Sequence, residues 1–408
     1  CSNISGVIRY NNEGNNPPIA GAPTPMNNVR VQLFEEDKTL FDELYTNATG
    51  QYAFTDVPNG NYTLKLSTVK AWGGVNSVDA LAIMKHFVGM EYLTGIRLKA
   101  SDVDNTGFTN VSDALQVSRR FVGQVQSFAA GNWAFESDSI RIAQQNLPGP
   151  PPVIIPAYND PKLIALVNDS ILNIYGLTYG DCNGTYNPPA TKQASTVGLS
   201  YKGSLQIAEG QEVRIPFHAL EQMEAGALAL ILEIPSGLDI RAVEMATEEG
   251  HLDWAVMNGE LRISWFSLNP MPAAAHTPLF HVVARVNDLN NAVMRILEGS
   301  EMADGHAKVF SGALYTPVLT QGEASLMLEA YPNPFNQETQ VMVQLPADGQ
   351  LNLELYNTMG AKVATLTSGL YPAGTHQFNM QRQGLPSGMY LLSLQYKGQT
   401  STLRLVVR

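Results

Sequence analysis

Asp102-Val103-Asp104-Asn105-Thr106-Gly107-Phe108-Thr109-Asn110-Val111-Ser112-Asp113 spaces oxygen donors as a hard divalent cation requires. A calcium loop takes ligands from its positions 1, 3, 5, 7, 9 and 12, with glycine at position 6 for the sharp turn. Those positions hold Asp102, Asp104, Thr106, the Phe108 carbonyl, Asn110 and Asp113, and Gly107 occupies the turn. An all-oxygen donor set suits Ca²⁺ and not Zn²⁺. From Asp113 onward, Ala114, Val117 and Phe121 fall on one stripe with Leu115 and Val122 beside it, so the spacing predicts a helix after the loop.

This stretch is half of a repeat. Residues 73–90 (GGVNSVDALAIMKHFVGM) align with 107–124 (GFTNVSDALQVSRRFVGQ), a constant shift of 34 from Gly73 to Gly107. Gly73, Asn76, Asp79, Ala80, Leu81, Phe87, Val88 and Gly89 recur as Gly107, Asn110, Asp113, Ala114, Leu115, Phe121, Val122 and Gly123. Two loop–helix units closing on Asp, not Glu, at loop position 12 resemble the type I dockerin. The resemblance covers roughly residues 68–125. It implies a small calcium-dependent helix pair that docks onto cohesin domains. The first unit departs from the pattern, because positions 1, 3 and 5 fall on Thr68, Lys70 and Trp72. A lysine there opposes a cation, so this loop alone is not expected to hold calcium. Gly180-Asp181-Cys182-Asn183-Gly184-Thr185 reads like the front half of a dockerin loop. Two readings stay open. Asp181, Asn183 and Thr185 stand in for positions 1, 3 and 5 of a split second site completed by Asn76 and Asp79, or the segment is an Asx turn between strands.

A chain of 408 residues exceeds one core and suggests roughly three to five domains. Its net charge of −12 and pI near 5.0 argue against nucleic acid as a partner. Charged residues make up only 15%, while Asn, Gly, Pro, Thr and Tyr are plentiful, the balance of an extracellular β-rich protein. No run of 18 apolar residues exists, so no transmembrane segment is expected. The first residue is Cys1, which implies a processed form or a fragment. A lipid-bearing cysteine, as in bacterial lipoproteins, is the other reading. The strand pattern from Ser5 onward favours the fragment. Cys1 and Cys182 do not form a disulfide framework, and a single bridge between them stays open.

Mainly β multidomain architecture follows from the rest of the chain: β-sandwich modules around one small α module. Residues 1–68 alternate apolar and polar in Gly6–Tyr10, Val29–Phe34, Gln51–Phe54 and Tyr62–Leu66. Their order, SGVIRY…NVRVQLFEE…TNATGQYAFTDVPNGNYTL, resembles the prealbumin-like (carboxypeptidase regulatory) β-sandwich, a spacer without catalytic residues. Residues 69–125 are the dockerin-like helix pair. Residues 126–190 form an irregular β region whose Pro148-Gly149-Pro150-Pro151-Pro152 loop cannot be helix. The triplets Asp138-Ser139-Ile140 and Asp169-Ser170-Ile171 match a short bacterial O-glycosylation signal at Ser139 and Ser170. Regular strand spacing over 191–315 predicts a second sandwich. EGQEVRIPFHALE…ALALILEIPSGLDIRAVEM…NGELRISWFSLNP…TPLFHVVARV resembles a cohesin, with Trp254 and Trp265 read as core and not as sugar platforms.

Residues 316–330 read as a linker. Residues 331–408 open on Tyr331-Pro332-Asn333-Pro334-Phe335 and end in LPSGMYLLSLQYKGQTSTLRLVVR. With Gly360, Gly374, Gly388 and Tyr390, this resembles the type A C-terminal sorting domain of the type IX secretion system. The resemblance implies handling by that machinery at the outer membrane and display on the surface of a Gram-negative bacterium.

No G-x-S-x-G, H-E-x-x-H, P-loop or G-x-G-x-x-G occurs, so no enzyme is expected. The expected function is a calcium-stabilised structural or adhesive surface stalk. The alternatives are the non-catalytic tail of a larger secreted hydrolase and a head-to-tail fibre subunit. Dockerin-like and cohesin-like modules in one chain are expected to clamp together, since tethering raises their effective concentration to the order of millimolar. Docking between copies would grow filaments instead.

Overall fold

The computed structural model describes residues 1–13, 21–137, 162–188, 196–275, 277–288, 293–321, 326–346, 348–372, 374–382 and 384–408. The chain forms three β bodies, with one helical module inserted in the first. The first body holds β1 (Ser2–Tyr10), β2 (Arg30–Glu35), β3 (Leu40–Tyr45), β4 (Gln51–Val57) and β5 (Gly60–Ser67) before the helices. After them come β6 (Trp133–Ser137), β7 (Lys162–Leu166), β8 (Ser170–Ile171) and β9 (Ile174–Thr178). They form sheets β4-β1-β9-β6, with β8 also on β1, and β3-β2-β5-β7. Ile4, Ile8 and Tyr10 of β1 alternate inward onto Val31, Leu33, Phe54 and Leu64.

The expected boundary at residue 68 is therefore corrected. β1 pairs with β9 (Ile8↔Ile174) and β5 with β7 (Tyr62↔Ile164), so the chain after the helices returns to complete the first sandwich. Without that return, β1 and β5 would leave rows of backbone donors and acceptors unpaired.

The helical module contains α1 (Ser77–Phe87), α2 (Gly95–Ser101) and α3 (Val111–Phe121). The expectation was a helix pair, and α2 is the addition. Seven residues are too few for a periodic pattern, yet α2 buries Ile96 and Ala100 in the first body's core. His86 near the end of α1 is buried, and its Nδ1 accepts the Leu93 N–H at 3.0 Å.

The second body comprises β10 (Val197–Ile207), β11 (Glu212–Ala219), β12 (Met223–Glu233), β13 (Leu238–Met245), β14 (His251–Met257) and β15 (Glu260–Ala273). It continues with β16 (Pro278–Val286), β17 (Arg295–Ile296), β18 (Glu301–Ala303), β19 (Val309–Phe310) and β20 (Gly312–Gln321). Its sheets run β10-β20-β11-β16-β13 and β14-β15-β12-β18-β19, with β17 also on β12. The expected linker is corrected here too: residues 316–321 belong to β20, which buries Leu314, Thr316 and Leu319 and pairs with β10. Pro317 and the polar residues around it hide the alternation.

On β12, Leu228, Leu230 and Leu232 point into the sandwich, while Ala227, Ala229 and Ile231 point out of it. The outward face is covered as well. Ala227 packs with Val78, Leu81, Ile83, Ala114 and Val117, and Ala229 and Ile231 pack with Phe121 and Val122. The helical module thus lies on the sheet β14-β15-β12-β18-β19 of its own chain. Trp265 is buried in the sandwich core, and Trp254 packs half-buried against it.

The third body contains β21 (Met327–Tyr331), β22 (Glu338–Leu345), β23 (Gly349–Asn357), β24 (Lys362–Tyr371), β25 (Gly374–Gln381), β26 (Gly388–Tyr396) and β27 (Gln399–Val407). Sheets β21-β22-β25 and β24-β23-β26-β27 enclose Val341, Val343, Leu353, Leu392 and Leu405. Gln344 Nε2 donates to Gln206 O at 2.7 Å, joining it to the second body.

Candidate metal centre

The contiguous loop folds its acids around one point. One ligand oxygen from each of Asp102, Asp104 and Asp113 lies within 4.8 Å of the others. Backbone N–H groups fix each carboxylate: Thr106 N–H donates to Asp102 Oδ1 at 3.0 Å, Gly107 N–H to Asp102 Oδ2 at 2.9 Å, and Val103 N–H to Asp113 Oδ1 at 2.9 Å. The chain turns through Asn105 (φ 57°) and Gly107 (φ 86°), and the glycine meets the left-handed requirement without strain. Asn110 caps α3, accepting the Ser112 N–H at 2.7 Å, and Asp113 accepts the Asn110 N–H at 2.9 Å. Thr106 Oγ1 donates to Asp104 Oδ1 at 2.7 Å, and its oxygen lies 3.4 Å from the Phe108 carbonyl.

The same pattern recurs between two segments 104 residues apart in sequence. Thr185 N–H donates to Asp181 Oδ1 at 3.0 Å and lies 3.1 Å from Asn183 Oδ1, as Thr106 does to Asp102 and Asp104. Tyr186 N–H donates to Asp181 Oδ2 at 3.2 Å, matching Gly107. Asn183 N–H donates to Asp79 Oδ1 at 3.1 Å, matching Asp104 and Asp113. Asn76 N–H donates to Asp79 Oδ2 at 3.0 Å, and Asn76 Oδ1 accepts the Val78 N–H at 2.8 Å. The structure therefore brings Asn76, Asp79, Asp181, Asn183 and Thr185 together. Thr68, Lys70 and Trp72 are engaged elsewhere, Lys70 with Asn27 and Trp72 with the Tyr179 carbonyl and the Arg120 guanidinium.

Two observations bear on whether an ion fits there. Thr185 Oγ1 is buried with no protein partner, unlike Thr106 Oγ1. Gly74 (φ 81°) lies so close that a Cβ would stand 2.8 Å from Asp181 Oδ2. Sequence reasoning missed Gly74 and also Tyr10, whose hydroxyl donates to Asp181 Oδ2 at 2.5 Å. The unpartnered Thr185 hydroxyl and the close approach of Gly74 fit a hard cation held by Asp79, Asp181, Asn183 and Thr185. Gly74→Ala is expected to abolish one bound calcium and leave the contiguous loop's calcium in place, read by calcium titration.

Without an ion, burial holds Asp113, Asp181 and Asp79 above the usual carboxylate range. Burial pushes Asp113 up to about 7, and the charges of Asp104 and Asp102 add to it. Burial raises Asp181 to about 6 and raises Asp79 well above the usual carboxylate range. A carboxyl whose folded value is raised stabilises the fold below its unfolded value, near 4, and loses that contribution as pH rises through its folded value. Calcium-stripped protein is therefore expected to melt lower at pH 8 than at pH 5. With calcium bound the trend should reverse, because an ion needs all three acids ionised. Thermal melts at the two pH values, with and without calcium, check the sign.

At the C-terminus, the Asn333 side chain clasps the last strand. Its Oδ1 accepts the Val406 N–H at 2.9 Å and its Nδ2 donates to Arg404 O at 2.7 Å. Phe335 N–H donates to Val406 O, and Arg408 N–H returns to Phe335 O. Pro332 O accepts Thr339 Oγ1, Pro334 follows a cis peptide bond, and Tyr331 stays exposed. Gly360 (φ 79°) turns β23 into β24, Gly374 and Gly388 begin β25 and β26, and Tyr390 donates its hydroxyl to Pro386 O at 2.9 Å. Residues 329–408 match the secretion system C-terminal sorting domain. This sorting domain marks the chain for type IX secretion to the cell surface or beyond. No helix among the described residues is long and apolar enough to cross a membrane.

No curated protein matches the chain. Among solved structures, a non-cellulosomal cohesin from Archaeoglobus fulgidus is similar at 20% identity, over 29% of this chain and 87% of that one, with a TM-score of 0.23. The major pilin subunit of Bacillus cereus is similar at 9% identity, over 100% and 95%, with a TM-score of 0.25. The T6 backbone pilin of Streptococcus pyogenes is similar at 9%, over 100% and 80%, at 0.21.

Of the glycosylation candidates, Ser170 is half-buried on β8, and the neighbouring Asp169 accepts the Asn3 N–H at 2.7 Å. Ser139 lies outside the described residues. Cys1 is exposed and Cys182 buried, both as free thiols.

Proposed function

We propose that this chain is a non-catalytic structural or adhesive module of the cell surface. It is stapled by calcium and held rigid by an internal clamp between its dockerin-like helices and its cohesin-like sandwich. The observation that carries the reading is the apolar seam between α1, α3 and the outer face of β12. Ala227 and Ala229 leave room for the helices, and both partners belong to one chain. Polar contacts edge the seam. Lys85 Nζ donates to Gly305 O at 2.5 Å, Arg262 Nη1 donates to the C-terminal Phe121 carbonyl of α3 at 3.2 Å, and Ser118 Oγ donates to Asp253 Oδ2 at 2.7 Å.

The calcium loops lie at the starts of α1 and α3, so ordering them presents both helices to the sheet together. Such a clamp turns separate beads into a stiff rod, which suits a protein exported for display. Light scattering with calcium and then with chelator tests the reading. A monomer at every concentration that expands only on chelation is expected. A concentration-dependent ladder that collapses on chelation would instead make the chain a self-assembling fibre subunit.

A further inference from the structure

Asn76 and Asn110 occupy the same place in the two loops, and each caps its helix through Oδ1. Their amide nitrogens differ. Asn110 Nδ2 reaches only the Phe108 carbonyl of its own loop, at 3.5 Å. Asn76 Nδ2 leaves its module and donates to Glu301 Oε2 at 2.8 Å. Glu301 is 1% exposed and begins β18, in the second body. That strand pairs Glu301 with Ala229 and Ala303 with Ala227, the two alanines on which the helices rest. The position of Glu301 is thus set by the strand pairing that forms the docking face.

We infer that Glu301 is a positioning residue that joins helix docking and ion binding at the split site into one equilibrium. The inference rests on the calcium reading above. Glu301 accepts from Asn76 Nδ2 and so fixes the rotamer of Asn76 from a different body. Outer groups of this kind typically change metal affinity about 10- to 100-fold. Linkage is reciprocal: whatever docking adds to calcium affinity, calcium adds to docking. Among the described residues the contiguous loop's Asn110 makes no such link, and that loop serves as a control inside the same molecule. Release of the ion from the split site would then loosen the clamp, while release from the contiguous loop would not pass through this contact.

The test is calcium titration of the full chain against a competing fluorescent chelator, with Asp181→Ala used to assign the split site. Glu301→Ala is expected to weaken that site about tenfold or more and leave the contiguous site within about twofold. Glu301→Gln keeps the acceptor for Asn76 and loses the charge, so an intermediate loss is expected. It also keeps the test valid should Glu301→Ala fail to fold. At calcium levels between the two affinities, Glu301→Ala should show a larger radius of gyration than the parent. Two titrating sites with affinities unchanged in both variants would overturn the role of Glu301 while leaving the calcium reading intact. A parent chain that binds no calcium would overturn the calcium reading itself, and this inference with it.

Discussion

Replacing Ala229 with arginine should release the helical module from the sandwich. Ala229 has no exposed surface and touches Phe121, Val122 and Ile231. An arginine side chain does not fit between β12 and the helices, and overpacking of this kind costs on the order of 1–3 kcal/mol even with Glu301 across from it on β18. The sandwich itself should survive, because Leu228 and Leu230 fill its core from the opposite face of β12. Small-angle scattering is expected to show an increased radius of gyration, and limited proteolysis to cut within the helical module, both in saturating calcium. Leu230→Ala is the contrasting variant: it should lower the melting temperature of the sandwich without opening the seam. An unchanged scattering profile for Ala229→Arg would mean that the seam contributes little.

The second large effect is expected at Asp113. Its carboxylate accepts the N–H groups of Val103, Asp104 and Asn110, and it occupies position 12 of the loop. Asp113→Ala should lose one calcium and leave three buried or half-buried donors without an acceptor, destabilising the module by roughly 3 kcal/mol or more. Asp113→Asn keeps an acceptor oxygen and the side-chain shape. Its amide nitrogen would face one of the N–H groups that Oδ1 and Oδ2 now accept, so it should lose the calcium and melt between the calcium-free parent and Asp113→Ala. Comparison of the two variants separates the ion's contribution from that of the hydrogen bonds. Equal calcium binding by the parent and by Asp113→Asn would show that the loop is held by its hydrogen bonds alone.

Local signals in the sequence carried much of this architecture. Loop spacing located Asp102 to Asp113, the repeat located α1 and α3, and period-2 alternation found most strands. The Tyr331-Pro332-Asn333-Pro334 opening marked the sorting domain, and the structure adds why Asn333 belongs there, since it binds both Arg404 and Val406. The misses share a cause. β3 is largely exposed, so burial leaves little pattern on it. β7 and β9 join the first body through pairings such as Tyr62↔Ile164 and Ile8↔Ile174, too far apart for any window of sequence to contain. Glu301 is a lone acid in a three-residue strand, and only the fold places it against Asn76. One signal could have been read further. The run Ala227-Leu228-Ala229-Leu230-Ile231-Leu232 is apolar on both faces, the mark of a strand covered on both sides.

The split site requires residues 76–79 and 181–185 to act as one loop. Counting calcium ions per chain by native mass spectrometry tests this directly. The account predicts two ions on the parent chain, one on Asp181→Ala and one on Asp102→Ala. A parent chain holding a single ion, with that count unchanged in Asp181→Ala, would contradict it.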